Sequence, residues 1–571
     1  MKKINALALL IATFSLSLAA CQKNGPKTPS DESASQEESK EPVLEPGATG
    51  DALKYQRGAY TSSYRGLRIN GMGYVTENFN KVSGDGGTYF AMTDVKALAV
   101  AVDFTDYPAS ALPKGEEGTI KDLQAAIFGK SEDTGWESLK SYYYKTSNGV
   151  CNIEGTVANQ WYHTNVDVKG FYQGQATLGV TGTSATKTLA RLVSEWARDD
   201  LGIDLKDYDA NGDGFIDSVI MIYSCPPHVD VPGLSHDQTD DLYWAFCWSG
   251  EAKASDANVE NPYPYRFFWS SYYTFYEDGY YDETNTHRDW TNAQIASGEA
   301  KIDSHTLIHE FGHALSLPDY YNGDYNSSDP YAYDPLGCLD MMAYNVGDHN
   351  AFSKALYGWN APYLVYGEST VNIRSTTDTG DFIVIPVNKL ERPDREFTLL
   401  SQYIMIEYLT PTGVAYSDSL DAYAGSYPVW YSEPGVRVTL VDARIGRFSY
   451  SGTFQGFTGS VSAGTGYYAS FACDNNSIER SFDKRAKLIE IIPANGIPAK
   501  NLTNHRADNS CLYQEGAEFN MNTSTSVWNN FCVDDNAGTR TKQFVFGFKI
   551  EKMTKDLVSI SFTGGFPEED F

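Results

Sequence analysis

The chain has 571 residues, of which 42% are hydrophobic and 14% aromatic, with 40 tyrosines. That is core material for two or three domains and excludes a chain disordered throughout. A formal charge of −30, from 44 basic and 74 acidic residues, argues against nucleic acid and anionic lipid surfaces as partners. The same acidity suits solubility and Ca²⁺ binding but identifies no substrate.

Residues 1–20 read as a signal peptide: Lys2 and Lys3 precede an apolar run that closes on Leu18-Ala19-Ala20. Cys21 follows, and Leu-Ala-Ala-Cys resembles the bacterial lipobox, whose cysteine is acylated and becomes the mature N-terminus. The expectation is an exported protein, lipid-anchored at the cell envelope or outer surface of a bacterium. The alternative is a plain signal peptide with an unused cysteine. Residues 21–50, rich in Ser, Glu, Pro, Lys and Gly, read as a disordered tether. Residues 51–94 are polar and Gly-rich, a lead-in or a pro-segment. Eight cysteines less Cys21 leave an odd seven, so at least one is free unless it pairs between molecules. Cys225 with Cys247, and Cys511 with Cys532, are the nearest plausible pairs.

Residues 95–365 form the first expected globular domain. Val95 to Phe104 is a nearly continuous apolar run, as in a buried strand. Helical pieces follow over Leu123 to Phe128 and Trp136 to Tyr144, then an alternating strand over Gly149 to Val157. A helix over Ser184 to Asp199 places Leu189, Leu192, Val193, Trp196 and Ala197 on one face. Phe215 to Tyr223 reads as another buried strand. Strands and helices in this alternation predict an open α/β sheet. The loop before the last strand carries Asp209, Asn211, Asp213 and Asp217 around Gly212 and Gly214. Oxygens so closely spaced suit a hard cation, and a Ca²⁺ loop is the expectation. It is not a full EF-hand, because Ile220 stands at position twelve. An Asx-turn hairpin without metal is the other reading. Residues 224–300, heavy in Tyr, Trp, Asp and Asn, form a long insertion expected to frame a substrate cleft.

The stretch around which the rest is organised runs from Thr306 to Tyr321 and contains His309-Glu310-Phe311-Gly312-His313. On a helix, His309 and His313 stand one turn apart and project from one face, so two imidazoles can grip one Zn²⁺. Glu310 can act as general base toward a water activated by the metal. Gly312 lets another element approach closely, and Pro318 marks the end of the element. A catalytic zinc takes a third protein ligand; Asp319, just past Pro318, is the candidate, with a turn or supporting role as its alternative. Further on, Asp340-Met341-Met342-Ala343-Tyr344 reads as a buried turn, and Phe352 to Trp359 as a closing helix.

These residues resemble the immune inhibitor A family of secreted bacterial zinc metallopeptidases, whose zinc helix reads H-E-F-G-H-x-L-G-L-P-D-x-Y and which is similar to the metzincins. Ser316 replaces the motif's Gly, and Asp319 stands where metzincins have a third His. The resemblance implies a metzincin-like peptidase domain and a Met-turn in which Met342 floors the zinc. It extends to Val102–Asp106, Ser141–Gly149, the loop at Asp209–Asp217, and the closing helix, where Tyr357 is one residue extra. Tyr344, with Tyr321 as its rival, would approach the metal or the oxyanion.

From residue 366 to 571 the helical period gives way to short alternating runs, among them Gln402 to Glu407, Val436 to Val441 and Leu557 to Phe562. This predicts an antiparallel β-sandwich. The functional expectation is a monomeric zinc endopeptidase acting on extracellular proteins or peptides, with zinc as catalytic ion and Ca²⁺ as structural ion. The rivals are a surface-lipoprotein module that binds carbohydrate or glycoprotein through a non-catalytic metal site, and a Ca²⁺-stabilised adhesin.

Overall fold

The structure is a computed structural model. It describes residues 44–55, 94–250, 256–315, 317–324, 327–386, 399–425, 427–458, 466–520 and 546–563, except 283 and 285, together with the backbone pairings of 67–69 with 75–77 and of 533–534 with 539–540. The signal peptide, Cys21, the tether as far as residue 43, most of 51–94, Ser316 and Cys532 lie outside the described residues.

The fold is mixed α/β. The strand Asp94–Asp103 is an inner strand of a six-stranded sheet, flanked by Asn152–Val157 on one side and Ser218–Tyr223 on the other, both parallel to it. Arg266–Ser271 continues the sheet in parallel, and Phe246–Ser249 closes it as an antiparallel edge strand. The inner strands Asp94–Asp103 and Ser218–Tyr223 are largely apolar and buried on both faces because both faces are covered. Val95, Ala97, Ala99 and Ala101 enter one core. Leu98, Val100 and Val102 enter the other. The helix Ser184–Asp199 covers the second face through Leu189, Ala190, Val193 and Ala197. The helices Gly115–Phe128, Leu139–Thr146 and His305–Ala314 cover the first.

The long insertion supplies two of the sheet's strands, and Arg266–Ser271 is buried along its whole length. The sheet also sets the cysteines apart. Cys225 lies in the core beneath one face and Cys247 packs on the other. Both are free thiols, so that expected pairing does not form.

The second half is built on the long strand Tyr363–Arg374. Its first residues pair in parallel with Phe382–Pro386, which leads through Gln402–Leu409 and Gly435–Asp442 to Ile489–Ile491. Its later residues pair with Leu557–Thr563, which leads to Gly547–Met553 and Glu518–Asn520. Val436 and Tyr513 exchange backbone hydrogen bonds, so the sheet curls back on itself. It encloses a core of Val371, Ile404, Ile406, Val438, Phe548 and Ile560. The outer residues Leu364, Phe382, Val384, Tyr403 and Met405 join the core beneath the first sheet.

Strand pairing runs through two of the expected boundaries. Residues 44–571 form one compact unit, and the break expected at 365/366 lies inside the strand Tyr363–Arg374. The strand Gly47–Lys54 pairs antiparallel with that same strand, taking in the end of the expected tether and the start of the lead-in. Tyr55 continues into the core, with its amide donating to the Pro362 carbonyl.

Candidate metal centre

The motif helix spans His305–Ala314, with Leu307, Ile308 and Phe311 buried beneath the sheet. It ends four residues before Pro318, earlier than the sequence suggests. The Leu317 amide turns back to the Gly312 carbonyl, so the turn after the helix, not the proline, stops it. Its second half leans on the turn Met341–Tyr344. A Cβ at Gly312 would stand 2.4 Å from the Met342 sulfur, so glycine lets the two elements meet here without displacing that side chain. The Met342 carbonyl accepts from the Tyr320 amide at 2.7 Å, fixing the segment that carries Asp319.

His309, His313 and Asp319 converge: one ligand atom from each lies within 4.8 Å of the others. Asp319 Oδ1 is 3.2 Å from His309 Nε2 and 3.1 Å from His313 Nε2. Ligand atoms about 2.0–2.1 Å from a tetrahedral ion stand roughly 3.3 Å apart, so the spacing fits. The two rings are nearly perpendicular, at 87°. Each is oriented from behind: His309 Nδ1 donates to the Met341 carbonyl and His313 Nδ1 to the Leu317 carbonyl, both at 2.8 Å. Those bonds put the ring protons on Nδ1 and leave the Nε2 lone pairs facing inward. Asp319 Oδ1 is buried and receives no hydrogen bond unless an imidazole gains a proton. Three acceptors around one point require a positive charge. Burial opposes a charged His313, but the Asp319 carboxylate outweighs it and raises the imidazole to about 9. Asp319 suffers the same burial, and the imidazoles hold it below the usual carboxylate range. A divalent ion would meet the same need for positive charge, with His309, His313 and Asp319 as its ligands.

Glu310 is half-buried beside the two histidines. Its Oε2 accepts from the Cys247 amide on the edge strand at 2.8 Å. Burial raises its carboxyl above the usual value, while the neighbouring imidazoles and that amide pull the other way. Tyr321 is the nearer of the two tyrosines, its ring 6.4 Å from that of His309. Tyr344 lies one ring further out, 6.2 Å from Tyr321, and its hydroxyl donates to Asp334.

The loop at Asp209–Asp217 is arranged differently. Asp209 accepts from the amides of Asp213 and Gly214, Asn211 from Asp213, and Asp213 from Phe215. These are Asx-turn contacts made within the loop. Asp217 Oδ2 accepts from the amide of Lys96 on the neighbouring strand and from that of Ala210 within the loop, and its Oδ1 is buried without a partner. Among the described residues, the only convergent His, Cys, Asp or Glu group is the triad of His309, His313 and Asp319.

Sequence reasoning missed several groups. The Met341, Leu317 and Cys247 backbone contacts carry no residue-type signal. His305 packs at the start of the helix, in surroundings that sequence does not reveal. It lies between Asp303 and Asp418, at 2.6 and 3.1 Å, and is stacked between Trp136 and Tyr423. No known protein family matches this chain, and neither does any curated protein.

Proposed function

We propose that the chain is a zinc-dependent endopeptidase. The observation that carries this is the convergence of three acceptors, His309 Nε2, His313 Nε2 and Asp319 Oδ1, with a carboxylate beside them that takes no part in the ligand set. Zn²⁺ held there would supply a Lewis acid that activates water and polarises a peptide carbonyl. Glu310 is held through Oε2 by the Cys247 amide, which leaves Oε1 to take a proton from the attacking water and return it to the leaving amine. Tyr321 is better placed than Tyr344 to meet charge developing at the carbonyl oxygen.

The edge strand supports a polypeptide substrate. Cys247 sits opposite Phe268 in the antiparallel pair, yet its amide serves Glu310, so that side of the strand faces the site. An extended chain pairing there lies beside the general base. We read the first sheet and motif helix as a metzincin-like domain, and the curled second sheet as the expected β-sandwich. We retain Ca²⁺ as a structural ion at the Asp209–Asp217 loop, supported by the orphaned Asp217 Oδ1. Export and acylation of Cys21 belong to the same proposal and rest on the leader sequence.

Measurement of bound zinc and of casein digestion, for the natural chain and for Glu310→Gln, tests the reading. Stoichiometric zinc in both, with digestion lost only in the variant, is the expected result. Zinc bound without digestion in either would favour a binding module.

A further inference from the structure

We infer that Glu407 and Arg437, which lie on the second sheet and touch no ligand, are positioning residues of the metal centre. The inference rests on the metal reading above and deepens it.

The two residues face each other across neighbouring strands, Gln402–Leu409 and Gly435–Asp442. Both are buried to 1% exposure, and Arg437 Nε donates to Glu407 Oε2 at 2.8 Å. A buried pair of this kind is tolerated only when its remaining polar atoms are satisfied. Here they are satisfied by the first half of the chain. Arg437 Nη1 donates to the Leu339 carbonyl, and Glu407 Oε1 accepts from the Ala351 amide at 2.8 Å. These contacts lie at the two ends of one segment, residues 339–351. Within it, Asp340 accepts from the Met342 amide through Oδ1, and from the Asn350 amide and side chain through Oδ2. The segment is therefore clamped at both ends and cross-tied inside.

The segment presents two carbonyls to the metal centre. Met341 receives His309 Nδ1–H, and Met342 receives the amide of Tyr320, next to Asp319. The positions of two of the three ligands thus depend on a turn held by residues some 60 to 100 positions later. Groups that orient ligands from outside the coordination shell typically change metal affinity about 10–100-fold when removed.

The test is the zinc dissociation constant, measured by competition with a chromophoric chelator, for the natural chain and the neutral double variant Glu407→Gln/Arg437→Met. The unfolding midpoint of each metal-free protein is recorded alongside. The removal of a surface pair, Arg485→Gln, is the control. The double variant is expected to bind zinc about 10–100-fold more weakly, while the control is unchanged. A double variant that melts earlier but binds zinc like the natural chain would overturn the inference, because the pair would then serve only stability. Arg437→Lys keeps the charge on Glu407 but gives up the forked reach to Leu339. It decides the matter in the same way if the double variant does not fold. A natural chain that binds no zinc would instead remove the metal reading itself.

Discussion

The charge at each buried residue decides what replacing it does. Glu310→Gln keeps the shape and the acceptor for the Cys247 amide but not the base, so digestion should fall about 10²–10⁴-fold with zinc content unchanged; a smaller loss, read from initial rates, would reassign the base. His305 sets a pH window. Burial disfavours its charge, but Asp303 and Asp418 outweigh this and raise it to about 10, from an ordinary 6.5. A raised folded-state value adds stability that is complete below the unfolded value and is lost as pH rises through the folded one. The unfolding midpoint should therefore fall from pH 7 to pH 10.5 more in the natural chain than in His305→Phe, which keeps the stack without the charge. That variant should start lower, because it strands two buried carboxylates, a loss of about 3–5 kcal/mol.

The motif helix and its partner turn were only half legible in the sequence. The one-turn spacing of His309 and His313 is local, and so is the need for glycine at 312. Gly312→Ala should cost about 1–3 kcal/mol by overpacking against Met342, visible as a lower melting temperature and weaker zinc retention. The helix end was misread because Pro318 is a visible signal, whereas the return of the Leu317 amide to Gly312 is a tertiary choice. The strand Arg266–Ser271 was missed because Arg266, Ser270 and Ser271 look exposed in sequence. In the fold, the Ser271 hydroxyl donates to the Cys225 carbonyl and the strand pairs on both sides. The Asp209–Asp217 loop was read for its oxygens, and periodicity cannot tell loop amides from a cation as their partner.

For the whole molecule, the sequence showed two textures, and the structure joins them through one core. Alternating runs show that a strand has a buried face but not which element covers it, and here the second sheet buries its outer face against the first domain. A chain truncated at residue 365 should therefore lack a cooperative unfolding transition by near-ultraviolet dichroism, since it loses Phe382, Tyr403 and Met405 from that core. A truncated form that melts cooperatively and keeps zinc would show the first half to be self-sufficient.

The pairing of Gly47–Lys54 with Tyr363–Arg374 also governs the order of assembly. Thr49 meets Thr370 across a separation of 321 residues, so the earliest described strand to leave the ribosome finds its neighbour only after most of the polypeptide exists. Until then its backbone donors and acceptors bond to water. Closing so long a loop comes late in folding, and the amino-terminal strand is the seam that completes the molecule.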